Sequence, residues 1–302
     1  MKNVKKQLEN AIGTEKIFYN EPMKKHTTFR IGGPADIFVV PETIEDIKAV
    51  CKIAKEGNIP LFILGNGSNL LVGDGGIEGI VLEIYKNLSQ VKVEGTKIHV
   101  QAGAMLSSVS KAALKEGLTG FEFAGGIPGT FGGAVVMNAG AYGGEMVQVL
   151  IEVTVLTQDG EVKTIPASEL ELGYRTSNIL KNGYVVLSGV IELKEGKEEE
   201  IKAQMDEYAL ARKTKQPLEL PSAGSTFKRP EGYFAGKLIQ DAGLRGYQVG
   251  GARVSDKHCG FVVNQENATA ADVMQLIEDV QKKVKEQFGV LLEPEVKRIG
   301  RF

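Results

Sequence analysis

AGGIPGTFGGAVVMNAGAYGG, running from Ala124 to Gly144, is the stretch on which the reading of this chain turns. Gly125, Gly126, Gly129, Gly132, Gly133, Gly140, Gly143 and Gly144 all fall inside it. Such a run cannot be helix or strand throughout, because each glycine costs backbone entropy and brings no side chain to pack. A backbone without Cβ atoms approaches a ligand closely and turns successive N–H groups toward one anion, usually a phosphate. Thr130 and Asn138 add short side chains that hydrogen-bond locally. Ile127, Phe131, Val135, Val136 and Met137 are interleaved, and a flexible linker would leave them wasted in water.

A second glycine loop stands upstream. Gly65, Asn66, Gly67, Ser68, Asn69 and Leu70 follow an apolar strand pattern and approximate the dinucleotide fingerprint G-x-G-x-x-G. The third glycine is replaced by Leu70, and only Leu70, Leu71 and Val72 separate the loop from Gly73–Asp74–Gly75–Gly76. The fingerprint needs a helix at that point, and none fits. The segment reads as strand, tight loop, short strand; the phosphate role stays and the Rossmann role goes. No G-x-x-x-x-G-K-[ST] occurs, which removes the P-loop. Two glycine-rich cradles in successive α+β units suit one long dinucleotide, and flavin adenine dinucleotide matches that shape.

The bulk numbers agree with a globular chain of two or three domains. Of 302 residues, 42% are hydrophobic and 25% charged, with a formal net charge of −2 that excludes a general nucleic-acid binder. The two cysteines, Cys51 and Cys259, fit a reducing compartment better than a disulfide framework. MKNVKKQLENAIG has no apolar h-region and no run is long enough to span a bilayer, so a soluble cytoplasmic protein is expected. Periodicity predicts helices over 3–12, 44–56, 106–115 and 196–213, and strands at 37–40, 60–64, 79–82 and 185–193. Hairpins are predicted around Gly95–Thr96 and Asp159–Gly160. Thr269 and Asp272 cap a helix whose face is Val273, Leu276, Ile277, Val280 and Val284. Frequent hairpins among alternating helices and strands argue for several α+β units rather than one doubly wound sheet.

Six ordered motifs then carry a resemblance. GNGSNLLV (65–72), GGIPGTFGGAVVMNAGAYG (125–143), YRTS (174–177), AGSTFKRP (223–230), AGLRGYQVGGARVSDKHCGFVVN (242–264) and LEPEVKRIG (292–300) together resemble the UDP-N-acetylenolpyruvoylglucosamine reductase family of peptidoglycan precursor synthesis. The resemblance runs from about Phe18 to the end. It implies an α+β fold with two α+β subdomains forming an FAD-binding unit of the PCMH/vanillyl-alcohol-oxidase type, residues 1–85 and 86–200. A C-terminal α+β substrate-binding domain, residues 201–302, completes it. It also implies non-covalent FAD, NADPH as co-substrate and UDP-N-acetylglucosamine enolpyruvate as substrate: hydride from reduced flavin N5 to C3, a proton to C2, and UDP-N-acetylmuramate as product. The oligomeric state is not implied. The interval between Arg175 and Ser225 is too short for the inserted tyrosine loop of a longer subgroup, so the chain is placed in the shorter one and no tyrosine inherits that role.

Residue by residue, the resemblance makes Arg175 the partner of the substrate carboxylate and of the enolate formed on it. Its planar fork suits that task. It makes Ser225 the proton donor to C2; the surrounding sequence does not fit the G-x-S-x-G nucleophile elbow. It sets Glu295 beside Arg175 around the enolate, as acid or as electrostatic partner, with Glu293 too near for spacing alone to separate them. Lys228 and Arg229 are candidates for the UDP diphosphate, a solvated pair being the alternative. Cofactor binding is expected of Gly65, Asn66, Gly67, Ser68, Asn69 and Leu70. In the second cradle it is expected of Gly125, Gly126, Ile127, Pro128, Gly129, Thr130, Gly132, Gly133, Asn138, Gly140 and Ala141. His258–Cys259 has no further Cys or His at ligand spacing, so no metal site is expected and structural roles are. Two competing readings use the same loops. A different FAD oxidoreductase of this scaffold often tethers its flavin through His or Cys, which neither cradle contains. A non-catalytic nucleotide-sugar binder leaves Arg175, Ser225 and Glu295 without a purpose.

Overall fold

Thr43 starts the first long helix by the mechanism its sequence announces. Its hydroxyl accepts from the Asp46 N–H, and the Asp46 carboxylate accepts in return from the Thr43 N–H, closing a capping box on Ile44–Glu56. Ile47, Val50 and Ala54 form the buried face of that helix. The computed structural model describes residues 2–302. Strand Leu61–Leu64 pairs in parallel with Ile77–Glu83, Leu61 opposite Ile80, in a four-stranded sheet ordered Ile17–Pro22, Pro34–Val39, Ile77–Glu83, Leu61–Leu64.

The chain forms two compact units. The first takes the residues up to Phe18, then Phe38–Asn66 and Ile80–Ala211. Its main sheet is antiparallel and five-stranded, ordered Val162–Pro166, Leu150–Leu156, Val185–Glu192, Lys97–Gln101, Val91–Glu94. Ile98, Val100, Val153, Val155 and Ile191 bury its inner face. Phe131, from the middle of the glycine run, packs against this sheet at Gly189, where an added Cβ would stand 2.9 Å from the ring. Phe131 and Val135 are completely buried and anchor a six-residue helix, Phe131–Val136, inside the run.

The second unit takes Tyr19–Ile37, Gly67–Gly79 and Arg212–Phe302. Its antiparallel sheet is ordered Ser222–Ser225, Phe261–Asn264, Ala252–Val254, Gln248–Val249. Helix Ala270–Phe288 lays Val273, Leu276, Ile277, Val280 and Val284 into the core, with the Thr269–Asp272 capping box at its start. The Asp74 carboxylate adds two acceptors there, at 2.8 Å from Ala270 N and 3.0 Å from Ala271 N. Leu70–Val72 runs parallel to Lys297–Ile299.

The architecture is α+β, as expected. One detail differs from the sequence reading. Strand Ile17–Pro22 and the sheet of the second unit are not predicted from the sequence; the strands of that sheet have two to four residues, too short to show a period. His258 and Cys259 lie in the turn before Phe261–Asn264. Cys51 and Cys259 are both free thiols. Among the described residues no helix is long and apolar enough to cross a membrane.

The cap on Ile44–Glu56 also makes a pH prediction. Burial, the largest single influence on Asp46, pulls its carboxyl upward. The Glu42 N–H, the Lys16 ammonium at 3.0 Å and the Thr43 N–H together outweigh it and hold the group below its ordinary 3.8. A depressed folded value contributes stability that is complete above the unfolded pKa and is lost as pH falls through the folded one. Acid melting of the wild type should therefore steepen below about pH 4. Asp46→Asn should start less stable and flatten that slope; an unchanged slope in the variant counts against this account.

Candidate functional site

The two glycine loops meet in the first unit. Where strand Leu61–Leu64 ends, Asn66 donates from Nδ2 to the Pro128 carbonyl at 2.7 Å. A Cβ on Gly65 would overlap the Thr130 hydroxyl. Thr130 is buried and caps the helix Phe131–Val136, its hydroxyl accepting from Gly133 N. Phe131 N and Gly132 N donate to the carbonyls of Ala104 and Ala102 at 2.7 and 2.8 Å. Gly125 and Gly132 are glycine for packing, since a Cβ would stand 3.0 Å from Ser110 Oγ and from Ala102 Cβ respectively. Gly126 and Gly133 are exposed instead.

The rest of the first loop belongs to the second unit. Gly67 holds φ +59°, and a Cβ there would run into the His26 carbonyl. Its own carbonyl accepts from Thr28 N at 3.3 Å. Asn69 accepts from Lys297 N at 2.9 Å and donates from Nδ2 to the Glu295 carbonyl at 3.4 Å. Among the described residues, none of the N–H groups from Gly65 to Asn69 donates to a protein acceptor. A row of unclaimed amides on a tight glycine turn is the donor set that phosphate oxygens take, so these residues fit the pyrophosphate of a dinucleotide.

Arg175 is built into the far end of the glycine run. Its loop closes through the Gly173–Thr176 pair, N···O 3.1 and 3.3 Å. Its Nη2 donates to the Gly140 carbonyl at 3.0 Å, and its guanidinium lies 5.2 Å from the Tyr174 ring centroid. Asn138, 1% exposed, sews this loop down. Its Nδ2 donates to the Gly173 carbonyl and to Glu145 Oε2, each at 3.0 Å, and its Oδ1 accepts from Val147 N at 2.9 Å. The Asn138 side chain, expected on a cofactor, is thus engaged by the protein. Gly140 and Ala141 sit in a short hairpin opposite Glu145 and Gly144. Asn138, Tyr142 and Arg175 all hold positive φ, at +41°, +52° and +55°. Such conformations cost non-glycine residues roughly 1–2 kcal/mol each and collect where the backbone must aim something.

Ser225, Glu295, Lys228 and Arg229 lie in the second unit. Ser225 ends the edge strand Ser222–Ser225 after a register break at Gly224, φ +76°, and is exposed. Thr226 is buried; its N–H donates to the Gly260 carbonyl and its hydroxyl accepts from Val262 N. Beside it runs the segment 292–296. Glu295 N donates to the Thr226 carbonyl at 2.8 Å, Phe227 pairs with Pro294, and Lys228 N donates to the Glu293 carbonyl at 2.8 Å. This pairing separates the two glutamates. Exposed Glu293 takes the Lys228 ammonium at 2.9 Å, whereas half-buried Glu295 lies one residue across from Ser225. Arg229 stacks over Phe234 at 4.1 Å. His258 accepts from Gly260 N on Nδ1, and burial holds its imidazole below its ordinary value. Burial likewise pushes the Cys259 thiol up.

Sequence reasoning did not find Asn138 as the tie to the arginine loop, or Thr28 and Asn69 as ties of the first loop. One signal was available: an asparagine just past a short helix is a residue that tolerates the left-handed region.

Residues 35–166 match the family model described as FAD binding domain. Residues 216–299 match that of the UDP-N-acetylenolpyruvoylglucosamine reductase, C-terminal domain. The UDP-N-acetylenolpyruvoylglucosamine reductase of Lachnoclostridium phytofermentans is 54% identical over 298 residues, covering 97% of this chain and 96% of that one. That of Clostridioides difficile is 53% identical over 293 residues, covering 97% and 96%. The crystal structure of the Thermus caldophilus enzyme of that name superposes with a TM-score of 0.80 at 38% identity, over 92% of this chain and 97% of that one. Identity above half over nearly the whole length, with the flavin-domain and reductase-domain models matched in order, shows that this chain belongs to the UDP-N-acetylenolpyruvoylglucosamine reductase family.

Proposed function

We propose that this chain reduces the enolpyruvyl group of UDP-N-acetylglucosamine enolpyruvate to UDP-N-acetylmuramate, in the cytoplasm, with FAD as cofactor and NADPH as reductant. In this reading residues 1–85 and 86–200 form the flavin-binding subdomains and 201–302 the substrate domain. The observation that carries the reading is one network in the second unit. Glu295 donates its N–H to Thr226, next to Ser225, and accepts on its carbonyl from Asn69, within the row of unclaimed amides. A candidate acid, a candidate carboxylate and a candidate pyrophosphate loop thus share adjoining backbone.

FAD, when bound, supplies the hydride that reaches C3 of the enolpyruvyl group. The protein handles the charge and the proton. The Arg175 fork holds the substrate carboxylate and stabilises the negative charge that grows there, a task suited to a side chain that stays cationic. Ser225 delivers its hydroxyl proton to C2, leaving an alkoxide. A hydroxyl is a weak acid, but an enolate carbon is strongly basic, and neighbouring groups lower the cost of the alkoxide. Glu295 stands beside Ser225, and Lys228 and Arg229 are assigned to the diphosphate.

Anaerobic reduction of the bound flavin, followed by mixing with the enolpyruvyl sugar, tests this. The yellow colour should return in step with formation of UDP-N-acetylmuramate, and NADPH should bleach it again. A purified protein without a flavin band, or a reduced flavin that the sugar leaves bleached, overturns the reading.

A further inference from the structure

We infer that Thr28 is a positioning residue for Ser225: its side chain tethers the strand that carries the proton donor to the same residue whose backbone tethers the candidate pyrophosphate loop. The inference deepens the function proposed above and rests on it.

Three placements support it, all within the second unit. The Thr28 N–H donates to the Gly67 carbonyl at 3.3 Å. The Thr28 hydroxyl donates to the Ser222 carbonyl at 2.7 Å, across 194 positions of sequence. Ser222 begins the strand that Ser225 ends, and that strand lies at the edge of its sheet, with Phe261–Asn264 as its neighbour.

An edge strand with a register break and a glycine at φ +76° is free to shift. Ser225 is held beyond the break by Thr226, through Gly260, Val262 and Glu295. Before the break, the Thr28 hydroxyl fastens the outer side of Ser222. The two anchors bracket the serine. Thr28 itself is fixed by its neighbours: Thr27 Oγ1 donates to the Ile31 carbonyl at 3.2 Å, and Asn264 Nδ2 donates to the carbonyls of Phe29 and Arg30 at 3.2 and 3.4 Å. Asn264 N also donates to the Pro221 carbonyl at 2.8 Å, one residue before Ser222. The segment 27–31 is therefore a rigid gauge between the loop at Gly67 and the strand at Ser222.

The two tethers are chemically separable, because one is backbone and the other side chain. Thr28→Val keeps the N–H on Gly67 and the side-chain shape, and loses only the hydroxyl. Thr28→Ser keeps both tethers. FAD affinity, read by fluorescence titration of the apoprotein, should stay within about twofold for both variants, since the loop tether is untouched. Reoxidation of dithionite-reduced flavin by the enolpyruvyl sugar should slow about 10- to 100-fold in Thr28→Val, because small misplacements of a reacting group cost that much. Thr28→Ser should restore it. In a Ser225→Ala background, Thr28→Val should add less than about twofold, since residues acting as one unit are not additive.

Reoxidation at the wild-type rate in Thr28→Val overturns the inference. So does a Thr28→Ser variant as slow as Thr28→Val, a loss of FAD affinity that parallels the loss of rate, or full multiplication with Ser225→Ala. If Thr28→Val fails to fold, Thr28→Ala is judged by the same outcomes. A fast Ser225→Ala enzyme removes the proton-donor reading and this inference together; a slow Ser225→Ala enzyme with a fast Thr28→Val enzyme removes this inference alone.

Discussion

Ser225→Ala should leave the bleaching of bound flavin by NADPH intact while slowing the return of colour with the enolpyruvyl sugar by about 10²- to 10⁴-fold, the range that a positioned proton donor contributes. The residue is well suited to such a clean test. Its side chain is exposed at the end of an edge strand, so its loss opens no cavity. Exposed substitutions of this kind shift stability by no more than about 0.5 kcal/mol, and the melting curve should not move. The backbone anchors on either side, Thr28 on Ser222 and Glu295 on Thr226, use no atom of the serine hydroxyl. Ser225→Cys supplies a donor with an ordinary pKa of about 8.5 and should recover part of the lost rate, with a pH dependence that the wild type lacks. Stopped-flow measurement of the two half-reactions separates the outcomes. Equal loss in both would remove Ser225 from the proton transfer.

Gly67→Ala carries the second large effect, on cofactor retention and on stability together. Gly67 holds φ +59°, a conformation that costs an L-residue roughly 1–2 kcal/mol. The added methyl would also press on the His26 carbonyl and stand 2.9 Å from Thr27 Cα, backbone atoms that no rotamer change can remove. Overpacking of that sort adds about 1–3 kcal/mol. The total, about 2–5 kcal/mol, corresponds to a fall of roughly 3–8 °C in melting temperature. Relief requires the loop to move, which disperses the row of N–H groups from Gly65 to Asn69, so the variant should purify largely without flavin. Gly95→Ala is the control. Its φ is +60°, nothing lies within 4 Å of the added Cβ, and it should lose only the conformational share while keeping its colour. If both variants melt together and both stay yellow, Gly67 is glycine for its φ alone and the loop has no steric role.

Much of the local structure was legible before any coordinates. Helix Ile44–Glu56, helix Leu106–Lys115 and the hairpin Val91–Glu94 with Lys97–Gln101 follow from period, caps and turn residues. Each is decided by interactions within a few positions, which is what a sequence pattern records. The short strands of the second unit were not legible, because two to four residues show no period and form only when a partner strand is already present. The sequence assigns the glycines of the run from Gly125 to Gly140 to a cofactor cradle. The structure divides it: Gly125 and Gly132 make room for protein atoms, while Gly126 and Gly133 are exposed.

The candidate site divides in the same way. The order and wording of the motifs were enough to single out Arg175, Ser225 and Glu295, and the missing helix after Leu70 was enough to reject a Rossmann loop. Local propensity and motif identity are properties of contiguous residues, so the chain determined them alone. Which glutamate pairs its backbone with Thr226, why Asn138 must hold the arginine loop, and how Thr28 reaches Ser222 are decided by pairings across tens to hundreds of positions. Those contacts form only after distant segments have been brought side by side by burial of the two cores, and no local pattern encodes them.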